Sequence, residues 1–178
     1  DLDGNGKPYV VCTPGRGRTA EVVVFRQDVA ADGKVTLVKD SRFSLQPFGA
    51  NYDRGMNVAA GDFDGDGKDD LAFAKAFGDG AVKVYRSTPS GVQPLTLHRS
   101  FSPFPGGSGG AAIAAADFAT CSNGAVTDAA KRDGKAELVV TSGAGMAPAV
   151  RVYDLSATVP AVVDSFSPFS KAFVGGVN

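Results

Sequence analysis

The segment 62–70 reads DFDGDGKDD, and its spacing of acids constrains the fold more than any other feature of the chain. Calcium takes six to eight oxygen ligands, and alternate residues of a tight loop can supply them. The predicted ligands stand at loop positions 1, 3, 5, 7 and 9, the seventh through its backbone carbonyl: Asp62, Asp64, Asp66, Lys68 and Asp70. Gly67 at position 6 permits the sharp turn. The sequence therefore predicts a calcium loop, the alternative being a solvated acidic turn without metal.

An EF-hand is the competing interpretation of this loop. An EF-hand needs a bidentate Glu at position 12 and a helix on each side. Position 12 here is Phe73, and the flanking segments 57–61 and 71–74 are short apolar runs between turn signals. Such runs are typical of buried strands. We therefore expect a loop that joins two β-strands.

The N-terminus repeats the loop in weakened form. Segment 1–9 reads DLDGNGKPY, which keeps oxygen ligands at positions 1, 3 and 5. Position 9 is Tyr9, so a carboxylate is missing and we expect weaker calcium binding. The predicted ligands of this loop, the last through its carbonyl, are Asp1, Asp3, Asn5 and Lys7.

A third copy is split by an insertion at 119–132, which contains Cys121, Asn123 and Asp128. Position 3 has no clear occupant, although Asn123 or Asp128 could fold back to fill it. The alternative is a surface loop that has lost its metal. The predicted ligands are Asp117, Asp133, Lys135 through its carbonyl, and Glu137.

The three loops divide the chain into three repeats: 1–61, 62–116 and 117–178. After each loop come an apolar strand, a strand of strict alternation and a strand that ends in an aromatic signature. With the apolar strand that precedes the loop, these make four short strands per unit, and at this period they predict an all-β fold of β-propeller-type blades, with four antiparallel strands in each. The aromatic signatures are 43–48, 101–104 and 166–169. We interpret their Phe pairs as packing residues between neighbouring units rather than as a ligand cage.

These features resemble the FG-GAP/VCBS repeat family, the blade type of integrin α-subunit propellers and of many secreted bacterial proteins. The resemblance is carried by the loop 62–70, the preceding Val58-Ala59-Ala60-Gly61 and the alternating strand that follows. In that family the calcium loop is structural and braces the hairpin between the first two strands of a blade. The resemblance therefore implies a calcium-binding module, but the functions of the family vary.

The boundaries of the chain suggest a larger assembly. The sequence starts on the first residue of a loop and ends at 176–178, which matches 55–57, four residues before a further loop would begin. Propellers usually need four to eight blades to close. We expect either a piece of a larger repeat protein or copies that assemble into a ring or an array.

Composition excludes some functions and suggests a compartment. The net charge is −1 with charges spread along the sequence, which gives no electrostatic case for binding nucleic acid or an anionic membrane. No apolar run is long enough to span a bilayer. The chain has two cysteines, Cys12 and Cys121, and the sequence does not decide whether they form a disulfide. Because a loop of modest affinity fills at extracellular calcium levels, we expect a secreted or cell-surface protein.

A binding role is a better interpretation than catalysis. His98 is the single histidine and has no nearby nucleophile in the sequence, so we do not expect an enzyme. The first hypothesis is a structural, adhesive or assembly module that contacts further blades or a cell-surface protein. The alternatives are a lectin-like module that binds glycans, for example through Tyr52, Asp53 and Arg54, and an accessory domain of a larger secreted enzyme.

Overall fold

The computed structural model describes residues 1–88, 94–118, 120–122, 125–128 and 132–178, and between 120 and 128 it describes the backbone only. The sequence predictions for Asn123 and for the side chains of Cys121 and Asp128 fall outside these residues. The described chain contains β-strands, one short 3-10 turn at Ser41–Phe43 and no α-helix. No helix in this part of the chain is long and apolar enough to cross a membrane.

Thirteen strands are present in the described residues. They are β1 (Tyr9–Cys12), β2 (Val23–Val29), β3 (Val35–Lys39), β4 (Met56–Gly61), β5 (Asp70–Lys75), β6 (Val82–Ser87), β7 (Leu95–Phe101), β8 (Ala111–Ala116), β9 (Thr120–Ser122), β10 (Ala125–Asp128), β11 (Glu137–Ser142), β12 (Val150–Asp154) and β13 (Ala161–Phe166).

The strands form three main sheets in which every hydrogen-bonded pair is antiparallel. The first sheet has the order β1-β2-β3, the second β4-β5-β6-β7 and the third β8-β11-β12-β13. Strands β9 and β10 form a separate hairpin within the insertion. This architecture confirms the predicted all-β fold of blade-like antiparallel sheets, although the first sheet has three strands where four were expected. The second and third predicted loops each join the first two strands of a sheet, β4 to β5 and β8 to β11, whereas the first loop precedes β1. Sheets two and three therefore begin just before the loop-based boundaries of the repeats.

Alternation along the strands decides which side chains are buried. In β6, Val82 and Val84 are fully buried while Lys83 between them is partly exposed. Strand β5 is buried along nearly its whole length, as expected for a strand with neighbours on both edges and sheets on both faces. The pairing of β6 with β7 shifts register at Val84/Tyr85, and β12 with β13 shifts at Val152/Tyr153. The second and third sheets therefore repeat even this irregularity at equivalent positions.

Two apolar clusters hold the sheets face to face. The cluster between the first and second sheets includes Val22, Val24 and Phe43 from one side and Leu71 and Phe73 from the other. The cluster between the second and third sheets is built in the same way: Ala72, Ala74, Val82, Val84, Leu138, Val140 and Tyr153. Because each layer joins only adjacent sheets, the molecule is a short linear array.

The aromatic signatures lie at these sheet-to-sheet contacts. Phe104 packs against the cluster between the second and third sheets, and the Arg151 guanidinium lies 5.2 Å from the centre of its ring. Arg151 also donates a hydrogen bond to the carbonyl of Pro103. Phe48 packs in the same way between the first and second sheets, below the ammonium group of Lys75. The packing role expected for these residues is therefore confirmed in the first two units.

Candidate metal centre

The loop 62–70 is a tight turn between β4 and β5. Gly65 and Gly67 have φ values of +81° and +83°, a region that L side chains rarely adopt. The Asp62 carboxylate lies inside the turn and accepts hydrogen bonds from the amides of Gly65 at 2.6 Å and Gly67 at 2.8 Å. These bonds shape the loop around the Asp62 carboxylate.

Three of the five predicted ligands come together. One carboxylate oxygen from each of Asp62, Asp64 and Asp70 lies within 4.8 Å of the others. Calcium–oxygen distances are about 2.3–2.6 Å, so ligands on opposite sides of the ion stand about 5 Å apart. The three carboxylates fit part of a calcium coordination sphere, and the carbonyls of the loop and water would supply the remaining oxygens.

Asp70 is the most unusual member of the cluster because it is fully buried. Its carboxylate accepts hydrogen bonds from the amides of Ser87 at 2.8 Å and Phe63 at 3.3 Å. Burial, together with the negative charges of Asp64 and Asp66, raises the pKa of Asp70 to about 7, although both hydrogen bonds act in the opposite direction. A buried carboxylate beside two others is stabilised by a cation.

Asp66 is not one of the three clustered carboxylates, and its own carboxylate bonds Lys68. The ammonium group of Lys68 lies 2.8 Å from its carboxylate, and this hydrogen bond is the main reason why the pKa of Asp66 is lowered. The amide of Lys68 bonds the same carboxylate at 2.9 Å. The predicted ligand at position 5, Asp66, is thus bonded to the residue at position 7, Lys68. Whether Asp66 binds metal stays a prediction.

Arg86 is a component that the sequence did not suggest. Its Nε lies 2.9 Å from the Asp64 carboxylate, so the two residues form an ion pair. The guanidinium supplies positive charge to the cluster from the end of β6. The one signal available in the sequence is the position of Arg86 at the end of the alternating strand, which does not reveal that it reaches the loop.

The first loop has the same backbone but a different set of side-chain partners. Asp1 accepts hydrogen bonds from the amides of Gly4 at 2.9 Å and Gly6 at 2.6 Å, as Asp62 does in the second loop. The hydroxyl of Tyr9 donates a 2.7 Å hydrogen bond to Asp3. Burial and this bond raise the pKa of Tyr9 to about 12. The phenol at position 9 of this loop is therefore hydrogen-bonded to the carboxylate at position 3.

The third loop preserves the hydrogen bond at position 9. Glu137 accepts a 2.8 Å hydrogen bond from the amide of Phe118, the equivalent of the bond from Phe63 to Asp70. Burial raises the pKa of Glu137, with a smaller contribution from the charges of Asp133 and Asp117. One oxygen of Asp117 is buried without a hydrogen-bond partner among the described residues. Asp133 accepts a bond from the amide of Lys135 at 3.0 Å.

Successive loops are stacked by backbone hydrogen bonds. The amide of Asp69 donates to the carbonyl of Asp1 at 2.8 Å, and the amide of Ala136 donates to the carbonyl of Asp62 at 2.7 Å. Both bonds join the eighth position of one loop to the first position of the preceding loop. The Lys135 side chain lies over Gly65, where an added Cβ would stand 3.2 Å from its Cε. We call this arrangement the loop stack.

Other residues named from the sequence have structural partners. The hydroxyl of Tyr52 donates to the carbonyls of Gly55 and Phe77, at 2.9 and 3.0 Å. His98 lies half-buried in β7, and burial, with smaller effects from nearby arginines, lowers its pKa. Cys12 is exposed and free.

Comparison with known proteins identifies the family. The model of the FG-GAP-like repeat matches residues 1–73 and 62–119. The chain therefore belongs to the FG-GAP-like repeat family. No curated protein matches the chain.

One solved structure is similar in fold. It is the rhamnogalacturonan lyase PL11 of Bacillus licheniformis, with 16% sequence identity and a TM-score of 0.50. The alignment covers 94% of this chain and 33% of the lyase, so the chain spans about a third of that protein. At this identity the similarity concerns the fold alone.

Proposed function

We propose that the chain is a calcium-stabilised FG-GAP-type structural module, acting in adhesion or assembly rather than as an enzyme. The observation that carries the proposal is the convergence of Asp62, Asp64 and Asp70 within 4.8 Å at the turn of a hairpin. Calcium would hold the ends of β4 and β5 together and compensate the buried charge of Asp70. The family match supports the structural part of this proposal.

The donor atoms of the cluster indicate which ion it would hold. Every side chain of the cluster offers carboxylate oxygen, the ligand type that calcium prefers. Arg86 already supplies one positive charge 2.9 Å from Asp64, but a single shared guanidinium does not balance three carboxylates. The first and third loops, with Tyr9 at position 9 and with an insertion respectively, are proposed as weaker sites.

The experiment is a thermal melt with calcium and with a chelator. Ligand that binds only the folded state, at 1,000 times its Kd, stabilises by about 4 kcal/mol. For a chain of this size that corresponds to a rise in Tm of roughly 10 °C. We expect Asp70→Asn to lose most of the calcium-dependent shift.

The matched control is Asp28→Asn, because Asp28 is an exposed acid of β2 outside the loops. It should keep the calcium-dependent shift of the wild type. A wild-type Tm that does not respond to the chelator would refute the calcium proposal.

A further part of the proposal concerns partners. Pro103 is buried and Phe104 half-buried against the third sheet, whereas their counterparts Pro168 and Phe169 are exposed. Phe173 and Val174 beside them are 44% and 55% exposed. We propose that another blade, of the same chain type or of a larger protein, packs on this aromatic surface.

Light scattering tests the self-association form of this idea. If copies assemble, the particle should exceed the chain mass of 18.1 kDa, and Phe169→Ser should shift it toward monomer. Val159→Ser is the control, since Val159 is 75% exposed outside the surface. A wild type that stays monomeric at high concentration would argue against self-association.

The proposed compartment is extracellular, as a secreted or cell-surface protein, because millimolar calcium fills sites of modest affinity.

The second candidate function is a glycan-binding module or an accessory domain of a secreted enzyme, and it draws on the fold shared with a polysaccharide lyase. The hydroxyl of Tyr52 is already bonded to two carbonyls, so it is a poor sugar ligand. Binding of neutral sugars on a glycan array, abolished by Tyr52→Ala, would favour this candidate over a structural module.

A further inference from the structure

Three arginines converge at one end of the first sheet. Arg16 and Arg18 lie on the turn between β1 and β2, and each forms an isolated β-bridge with Arg54, which precedes β4. Directly opposite residues of an antiparallel pair, as Arg16 and Arg54 are, have Cβ atoms about 5 Å apart. The two bridges place the backbone of Arg54 beside that of Arg16 and of Arg18, and we call this set of three the arginine patch.

The backbone that carries the patch is fixed by hydrogen bonds on both sides of Arg54. The amide of Gly17 donates to the carbonyl of Asp53 at 2.8 Å, and the amide of Ala76 donates to the carbonyl of Gly55 at 3.1 Å. Gly55 has a φ of +82°, and a Cβ there would stand 3.0 Å from the backbone nitrogen of Arg16. The patch thus sits on a rigid scaffold rather than on a free loop, which lowers the entropy lost when a ligand binds.

The fold does not require arginine at these positions. In the second unit the equivalent parallel bridge joins Gly78 to Gly109, so the positions of Arg18 and Arg54 are filled there by glycine. Like charges placed directly opposite each other are destabilising. All three arginines are exposed, and none forms an ion pair with another described residue. An unpaired cluster of like charge, confined to one unit, suggests a ligand of opposite charge.

A groove of about 800 Å³ adjoins the patch, and its charged lining is Arg16, Arg18 and Glu21. This volume is in the range of small-molecule sites. On the other side, Phe77 is 45% exposed, and the Arg16 guanidinium lies 5.8 Å from the centre of its ring. The surface therefore combines guanidinium groups, a concave wall and an exposed aromatic ring.

We propose that the arginine patch binds an acidic polysaccharide through its carboxylate or sulfate groups. Guanidinium pairs with such groups by two parallel hydrogen bonds, and several arginines in a row match charges that repeat along a chain. A nucleic acid would call for a more basic protein, since here the net charge is −1 and the pI about 5.8. Anionic membranes typically require clusters of four to eight cations. The proposal is independent of calcium binding by the acidic loop.

Isothermal titration with soluble polymers tests the proposal. Oligogalacturonate supplies carboxylates, dextran sulfate supplies sulfates, and neutral dextran and a DNA oligonucleotide are comparison ligands. We expect the wild type to bind one or both acidic polysaccharides, and Arg18→Gln or Arg54→Gln to weaken binding about 5-fold each. Arg132→Gln is the matched control because Arg132 is exposed in the third unit, and its affinity should equal that of the wild type.

The outcomes separate this site from the calcium proposal. Dextran sulfate is titrated in calcium buffer, where the module is stabilised, and oligogalacturonate in chelator after circular dichroism has verified the fold. If the protein unfolds in chelator, the calcium proposal is supported. If it also binds dextran sulfate in calcium buffer, the arginine-patch proposal is supported as well. Absence of binding to both acidic polymers, equal binding of DNA or neutral dextran, or an equal effect of Arg132→Gln would overturn the assignment.

Discussion

Substitution of Gly61 by alanine tests how closely the second and third sheets approach. Gly61 is the last residue of β4, and its φ lies outside the left-handed region. A Cβ added there would stand 2.8 Å from the Cβ of Ala136 and 3.1 Å from the Cβ of Ala115. Carbon atoms in contact prefer about 3.5–4.0 Å. The sheets would have to separate locally by roughly 0.7 Å, because backbone-anchored methyl groups cannot rotate away.

Overpacking of this kind costs about 1–3 kcal/mol. For a chain of this size the expected fall in Tm is roughly 3–10 °C. Urea titration followed by circular dichroism gives the free energy of unfolding of Gly61→Ala against the wild type. Gly15→Ala is the matched control, because a Cβ at Gly15 meets nothing within 4 Å and its φ is not in the left-handed region.

A double mutant makes the reasoning specific to the contact. Ala136→Gly removes the nearest methyl group, so Gly61→Ala combined with Ala136→Gly should be more stable than the sum of the two single effects predicts. The geometry would be refuted if Gly61→Ala matched the stability of Gly15→Ala. Strict additivity of the two substitutions would also count against it.

Three other predictions follow from burial and charge. Asp40→Asn should lower the free energy of unfolding by about 1–2 kcal/mol at pH 7, because Arg42 bonds this nearly buried carboxylate and lowers its pKa. The stabilisation is present above the pKa that Asp40 has in the unfolded chain and is lost as the pH falls through the lower pKa of the folded state. Urea titrations should therefore show the difference in stability between the variant and the wild type decreasing over that range. The pKa of Asp70 is raised to about 7, so without calcium the Asp70 carboxyl stays protonated in the folded state at a pH where it is ionised in the unfolded chain. The stability of the calcium-free protein should therefore fall between pH 4 and pH 7. Thermal melts should show no such trend in Asp70→Asn. Leu138 is fully buried whereas Leu97 is 53% exposed, so chemical denaturation should show a loss of about 2–5 kcal/mol for Leu138→Ala and within about 0.5 kcal/mol for Leu97→Ala.

Local patterns were enough to predict most of the fold. Period-2 alternation placed Val82 and Val84 on a buried face, and both are fully buried. Phe73 stands where an EF-hand needs Glu, the short apolar segments beside the loop predicted strands, and β4 and β5 flank the loop as expected. These inferences succeeded because they depend on residues that are neighbours in sequence.

Partners from other strands could not be predicted in the same way. The ion pair of Arg86 with Asp64 depends on how β6 lies beside the loop, and the bond from Ser87 to Asp70 depends on the register of β5 with β6. The close approach at Gly61 depends on a whole neighbouring sheet. Spacing predicted Asp66 as a ligand, which stays a prediction, but it gave no sign that the Asp66 carboxylate accepts a hydrogen bond from Lys68. Sequence spacing gives the order of oxygens around a loop but not which of them another side chain will engage.

The loop stack has a consequence for how such repeats diverge. Its hydrogen bonds run between the main chains of successive loops, from the amide of Asp69 to Asp1 and from that of Ala136 to Asp62, and every residue except proline carries both main-chain groups. A loop can therefore exchange a carboxylate for a phenol, as at Tyr9, or accept an insertion, as before Asp133, while its neighbours still dock on it. The acidic side chains of the loops can therefore change one unit at a time, because the register between units is held by main-chain groups that substitutions other than proline leave in place.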